Sequence, residues 1–189
     1  GYTQGKNATD SAMIIDAMDI LYTGKVNGFC IVSSDSDFTR LATRLREAGM
    51  QVFGIGERKT PNPFIVACDK FIYIEILKSR TEEDTSDTVS ETPTAKNTVD
   101  KITPKALRFI ATTIDDVADD DGWAFLGDVG SLLQKKQPNF DSRNYGFQKL
   151  TPLINSIPNF EIERREDSKG RKKLIYVKIK EKGNSKSKK

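Results

Sequence analysis

Histidine is absent from this 189-residue chain, and no other gap in the composition excludes as much. Ser-His-Asp and Cys-His catalysis both need an imidazole, so neither is available. The two cysteines, Cys30 and Cys68, cannot supply the ligands of an ordinary zinc site on their own. Both lie in apolar surroundings outside any CxxC spacing, which fits a reducing, cytoplasmic location rather than a disulfide framework. No run approaches the ~18 apolar residues of a membrane-spanning helix, and the polar residues 1–6 lack a signal-peptide core. What remains for catalysis is carboxylates, lysines, hydroxyls or a hard metal ion held by oxygen.

Charge is segregated along the chain. Residues 1–78 carry nine basic and nine acidic side chains. Residues 79–100 are rich in Thr, Ser, Glu and Asp, carry two basic and six acidic groups, and read as a linker. Residues 101–189 carry 19 basic and 12 acidic groups, a net of +7. An anionic polymer would meet that half, although a solvated basic tail over 180–189 accounts for part of the excess.

Before the linker, helical and extended patterns alternate. Asn7 and Asp10 have capping-box spacing, and Met13, Ile14, Ala17, Met18 and Leu21 recur at helical spacing until Gly24. The continuous apolar run Phe29-Cys30-Ile31-Val32 predicts a strand buried on both faces. A helix with Phe38, Leu41, Ala42 and Leu45 inward ends at Gly49. Strands over 51–56 and 70–74 flank a short helix after Pro61 and Pro63. The rhythm is that of a parallel α/β sheet with crossovers, but only three strands are visible. Beyond the linker, Thr103-Pro104 opens a helix with Leu107, Ile110, Ala111, Ile114 and Val117 inward. A second helix carries Val129, Leu132 and Leu133. Asp141 caps a third with Tyr145, Phe147, Leu150, Leu153 and Ile154. Residues 160–164 and 173–179 alternate with period two and predict a hairpin. Three helices and a terminal hairpin are the parts of a winged helix-turn-helix.

Ser33-Ser34-Asp35-Ser36-Asp37 follows a strand and opens a helix. Clustered carboxylates and hydroxyls there suit either an all-oxygen Mg²⁺ or Mn²⁺ site or ordinary helix capping. For Asp10, composition alone favours capping; for Asp16 and Asp19, a solvated face. Gly54-Ile55-Gly56 lacks the third glycine of a dinucleotide fingerprint. Arg143, Lys149, Arg164, Arg165, Lys169, Arg171, Lys172 and Lys173 gather on the third helix and hairpin, where a winged helix meets a nucleic-acid backbone. Trp123 and Phe125 suit core packing better than base stacking.

Several motifs resemble those of a known family, in the same order. Lys6-Asn7-Ala8-Thr9-Asp10, Ile15-Asp16-Ala17-Met18-Asp19, Ile31 to Phe38, Val52 to Gly56 and Ala67 to Ile72 resemble the NYN domain, LabA-like branch. Gly122-Trp123-Ala124, Leu126-Gly127-Asp128-Val129-Gly130, Phe140-Asp141, Tyr145-Gly146 and the hairpin resemble the OST-HTH (LOTUS) domain. The domains expected are 1–78 NYN, 79–100 linker, 101–179 OST-HTH and 180–189 tail.

The resemblance implies a partial PIN-like parallel sheet with flanking helices, followed by a small winged helix (α+β). It implies an RNA-binding protein with a metal-dependent ribonuclease domain. Asp10, Asp35 and Asp37 would be catalytic residues holding Mg²⁺ or Mn²⁺, with Asn7 and Ser33 behind them. The family's first strand, which ends in an acid shortly followed by an asparagine, has no counterpart here. The chain then reads as a fragment, a late start or a protein completed by a neighbouring subunit, its residues 1–78 prone to self-association. The alternative is a catalytically inactive adaptor for RNA or for a protein bound by the winged helix. No membrane partner is expected.

Overall fold

The computed structural model describes residues 6–78, 99–166 and 173–180. The chain divides into two compact units, residues 1–94 with 137–139, and residues 95–136 with 140–189. Among the described residues no helix is long and apolar enough to cross a membrane.

In the first unit, α1 (Lys6–Tyr22) lays Met13, Ile14, Ala17, Met18 and Leu21 against the core and leaves Asp16 and Asp19 exposed. Gly24, at φ 64°, turns the chain out of the helix. The expected Asn7 cap is corrected, because α1 already contains Lys6 and Asn7 lies inside it. Apolar periodicity marks where a helix buries a face, not where its backbone begins.

Strands β1 (Gly28–Val32), β2 (Gln51–Gly56) and β3 (Lys70–Tyr73) pair in parallel in the order β1-β2-β3. The register runs from Gly28 opposite Gln51 to Val32 opposite Ile55, and from Phe53 opposite Lys70 to Gly56 opposite Tyr73. Sequential parallel strands with right-handed crossovers put the connecting helices on one side. These helices, α2 (Thr39–Glu47) and α3 (Asn62–Ala67), bury Leu41, Ala42, Leu45, Phe64 and Ile65 in one cluster with Ile31, Val52 and Phe71. The opposite face presents Cys30, Val32 and Phe53 to solvent, with Val32 63% exposed. Burial of β1 on both faces is therefore corrected: β1 is an edge strand, and an apolar run does not reveal which faces are covered. β3 also ends one residue earlier than expected, at Tyr73, where α4 (Ile74–Lys78) begins.

Two contacts fix the register of this sheet. The Asp69 carboxylate binds Arg46 Nε at 2.9 Å and accepts the Val52 N–H at 2.8 Å, while Asp69 N–H donates to the Val52 carbonyl at 2.8 Å. A Cβ on Gly54 would stand 2.5 Å from the Phe71 ring and 2.8 Å from Cys68 Sγ. Gly54 thus serves close packing, which explains a glycine here without any bound dinucleotide.

In the second unit, Thr103 Oγ1 accepts the Ala106 N–H at 3.2 Å and caps α5 (Pro104–Asp115), with Pro104 in its first turn. Then follow β4 (Trp123–Phe125), α6 (Leu126–Lys136), a 3₁₀ turn (Ser142–Tyr145), α7 (Leu150–Asn155), β5 (Phe160–Glu166) and β6 (Lys173–Ile179). The antiparallel sheet runs β4-β6-β5, around a core of Ile110, Ile114, Val129, Leu133, Leu153, Ile154 and Val177. The buried Thr113 hydroxyl donates to the Phe109 carbonyl at 2.8 Å and accepts from Lys136 Nζ at 3.3 Å, so its polarity is satisfied. Three expectations change. α5 ends before Val117; Trp123 to Phe125 form a third strand; and the third helix is broken in two by Gly146, at φ 82°.

Replacing Gly54 with Ala is expected to destabilise the protein by about 1–3 kcal/mol, because the methyl group overpacks the Phe71 ring. Urea unfolding followed by far-UV circular dichroism measures this. An unchanged midpoint would contradict the packing role.

Candidate functional site

The first candidate lies where β1 ends. Ser33 N–H donates to the Ile55 carbonyl at 2.9 Å, extending the pairing by one residue. Ser33 Oγ accepts the Asp35 N–H at 3.1 Å, and Asp35 Oδ1 accepts the Asp37 N–H at 2.9 Å. Asp35, at φ −90° and ψ 132°, is the N-cap of the 3₁₀ turn Ser36–Phe38 that leads into α2. Ser34 Oγ accepts the Glu57 N–H at 2.8 Å and ties this loop to the end of β2. Of the two readings open for these residues, the geometry displays capping directly. Both Asp35 and Asp37 are nonetheless exposed, at the edge where open α/β sheets receive ligands.

Asp10 lies half-buried on α1, and the Asn7 side chain falls outside the described residues. Among the described residues, no group of three or more His, Cys, Asp or Glu is placed to hold a metal ion. Asp35 and Asp37 share one turn and offer hard oxygen donors, but Asp10 does not join them in a three-carboxylate set.

Cys68 lies at the base of the same unit, its Sγ donating to the Phe64 carbonyl at 3.3 Å. Burial pushes its thiol up to about 12; Arg46 opposes this, while Asp69 and Cys30 add to it. Cys30 is exposed on the open sheet face, and both cysteines are free.

The second candidate is the set of basic side chains of the second unit, which the sheet divides: Arg164 opposes the core-packed Ile175, and Arg165 lies on the other face, over Tyr176. Arg143 is held by Asp141 through two bonds, Nε to Oδ1 at 2.9 Å and Nη2 to Oδ2 at 2.6 Å. Arg165 is held by Glu163, with Nη2 to Oε2 at 2.9 Å. In each pair the hydrogen bond raises the guanidinium pKa, and the carboxylate balances the positive charge. Lys149, just before α7, and Arg164, on β5, are exposed; among the described residues neither lies in an ion pair. Lys169, Arg171 and Lys172 and the Lys173 side chain fall outside the described residues.

Trp123 and Phe125 stand on the outer face of the β4-β6-β5 sheet, half-buried and outside the core cluster. Their assignment to the core is corrected: period-two alternation sends only Ala124 inward from β4. Tyr176 and Lys178 share this outer face and were not singled out by the sequence, although their i, i+2 spacing on β6 carries the signal.

Comparison with known proteins adds the family. Residues 1–75 match the NYN domain, and residues 97–171 match the OST-HTH/LOTUS domain. The chain carries an NYN domain followed by an OST-HTH/LOTUS domain. This pairing makes it a nucleic-acid-binding protein, because OST-HTH/LOTUS domains bind RNA. Two solution structures are also similar to part of the chain. An uncharacterised protein of Nitrosomonas europaea is 33% identical, with 50% of this chain and 90% of that one covered, at a TM-score of 0.39. Residues 175–257 of a Chromobacterium violaceum protein are 27% identical, with 43% and 86% covered, at a TM-score of 0.34. No curated protein matches the chain.

A thiol reagent at neutral pH is expected to label one cysteine of the native protein, Cys30, and both after denaturation. The raised value of Cys68 contributes stability that is complete below the ordinary thiol value of 9.0. It is lost as pH rises toward about 12, because the unfolded chain gives up that proton first. Two labels on the native protein would overturn the burial argument.

Proposed function

We propose that this protein binds RNA through its OST-HTH domain, with Lys149 and Arg164 as phosphate contacts. The observation that carries this reading is that both side chains are exposed and outside any described ion pair. Arg143 and Arg165 already face carboxylates of their own, and so add less net charge for phosphate. Lys169, Arg171, Lys172 and Lys173 belong to the same reading by sequence. A cytoplasmic location belongs to it too, supported by two cysteines that remain free thiols.

The test is binding of a labelled single-stranded RNA across a salt series. Replacing Lys149 and Arg164 with Gln is expected to weaken binding to all sequences alike. The slope of log affinity against log salt should fall by about 0.7 for each contact removed. An unchanged slope would overturn these two as phosphate ligands, and no RNA binding by the unmodified protein would overturn the reading itself.

A second reading is favoured by the exposure of Asp35 and Asp37 at the carboxyl edge of β1. On it, Asp10, Asp35 and Asp37 hold Mg²⁺ or Mn²⁺, with Asn7 and Ser33 behind them, and the NYN domain cleaves RNA. Because the described residues do not assemble that set, binding is the primary reading. Incubation of RNA with the protein and Mn²⁺, beside EDTA and Asp35→Asn controls, separates the two. Asn at 35 keeps an oxygen to accept the Asp37 N–H while removing the charge. The primary reading expects intact RNA. Cleavage abolished by both EDTA and Asp35→Asn would establish the second.

A further inference from the structure

The OST-HTH unit carries a second feature, one that includes Arg165 but neither of the proposed phosphate contacts, Lys149 and Arg164. On the outer face of its sheet, Trp123 and Phe125 of β4 stand beside Tyr176 and Lys178 of β6 and Glu163 and Arg165 of β5. The register makes these neighbours: Trp123 opposes Lys178, Phe125 opposes Tyr176, and Glu163 also opposes Tyr176. The Arg165 guanidinium lies over two rings at once, 4.4 Å from the Tyr176 centroid and 5.1 Å from that of Trp123. The Phe125 and Tyr176 rings are 5.8 Å apart. Lys178 Nζ lies 6.0 Å from the Trp123 centroid and donates to the Asp121 backbone carbonyl at 2.6 Å, a neutral partner that leaves its charge in place. None of these aromatic side chains belongs to the core cluster on the other side of the sheet.

We infer that this face is a stacking platform for unpaired RNA bases, centred on Trp123, Arg165 and Tyr176. This rests on the RNA-binding reading above and deepens it. Glu163 holds Arg165 with two donors on one carboxylate oxygen, Nε at 3.1 Å and Nη2 at 2.9 Å. The guanidinium is thereby positioned over the rings, and its side chain stays 37% exposed. A base can stack on a guanidinium plane as it does on an aromatic ring. The ligand chemistry is further narrowed by charge. Glu161 and Glu163 balance Arg165 and Lys178 on this face, and Asp119, Asp120 and Asp121 lie in the turn just before β4. A polyphosphate backbone gains little there, whereas a flat, uncharged base gains a stacking contact on the guanidinium plane that the Trp123 and Tyr176 rings support from beneath. Unpaired bases fit this face; a duplex, whose bases are already stacked on one another, does not.

Trp123 is the only tryptophan in the chain, so its fluorescence reports this face alone. Titration of the full protein with single-stranded oligoadenylate is expected to quench Trp123. An oligomer of abasic phosphodiester units of equal charge should leave the signal unchanged. Tyr176→Leu should reduce both the quench and the affinity by about 10-fold, and Trp123→Leu should reduce affinity to the same degree by fluorescence anisotropy of labelled RNA. Trp123→Phe, which keeps an aromatic ring and checks folding, should restore most of it. RNA bound with no quench, or equal quenching by the abasic oligomer, would overturn the platform and leave the phosphate reading standing. No binding of any RNA would overturn both.

Discussion

Sequential parallel pairing is the constraint on which the first unit depends. Once β1, β2 and β3 are laid side by side in chain order, right-handed crossovers oblige α2 and α3 to share one face. That face collects the large side chains of helices and strands alike, and among the strand positions Gly54 stays small so that they can close. Gly54 is small because the Phe71 ring and Cys68 sulfur already fill its space. Asp69 then locks the arrangement by joining the end of α2 to the backbone of β2. The same rule leaves Cys30, Val32 and Phe53 on the other face, which explains why an edge strand is so apolar yet so exposed.

The carboxylates at the end of β1 show how one motif serves folding before any chemistry is considered. A strand that turns directly into a helical segment leaves backbone N–H groups without partners. Ser33 and Asp35 take two of these, and Ser34 takes the N–H of Glu57 in the neighbouring loop. Capping of this kind is worth about 1 kcal/mol per residue, so these residues have a physical reason to be present without a metal. A substitution to Asn keeps the cap and removes the charge. Burial therefore cannot separate the two roles for these exposed acids, whereas a charge-only change can.

Much of this was legible from residue spacing, and the misses share a cause. The stripe from Met13 to Leu21, the Thr103-Pro104 start and the two hairpin strands were readable because periodicity reports directly on which face is buried. Partners in space were not. The exposure of Val32 depends on what lies across the sheet, and the break at Gly146 depends on a left-handed turn that a continuous apolar pattern hides. Trp123 to Phe125 was hidden as a strand because three residues are too short to alternate visibly, and they pair with β6, at Tyr176 to Lys178, far along the chain. For the candidate site, the sequence picked out the Asp35 turn but could not say whether Asp10 joins it. It placed Arg143 and Arg165 among the basic residues that would meet a nucleic-acid backbone, because nothing in spacing alone says that Asp141 and Glu163 are bound to them.

That last point separates net charge from binding capacity. The +7 of residues 101–189 would suggest a surface that meets RNA wherever it is basic. Pairing redistributes this charge: a guanidinium held by a carboxylate contributes little long-range attraction, while an exposed lysine outside any described pair retains its field within a Debye length of about 8 Å. Yet the guanidinium keeps its own charge, and only the pair as a whole is neutral. Its plane is flat, fixed and still polarised, and over the rings of Trp123 and Tyr176 it gains order that a free side chain lacks. On the reading proposed above, Arg165 is for that reason a base-stacking surface rather than a phosphate ligand, and the two proposed kinds of RNA contact divide along that line. Phosphate contact follows the exposed cations outside described ion pairs and weakens with salt. Base contact follows the aromatic face and responds to whether bases are present at all.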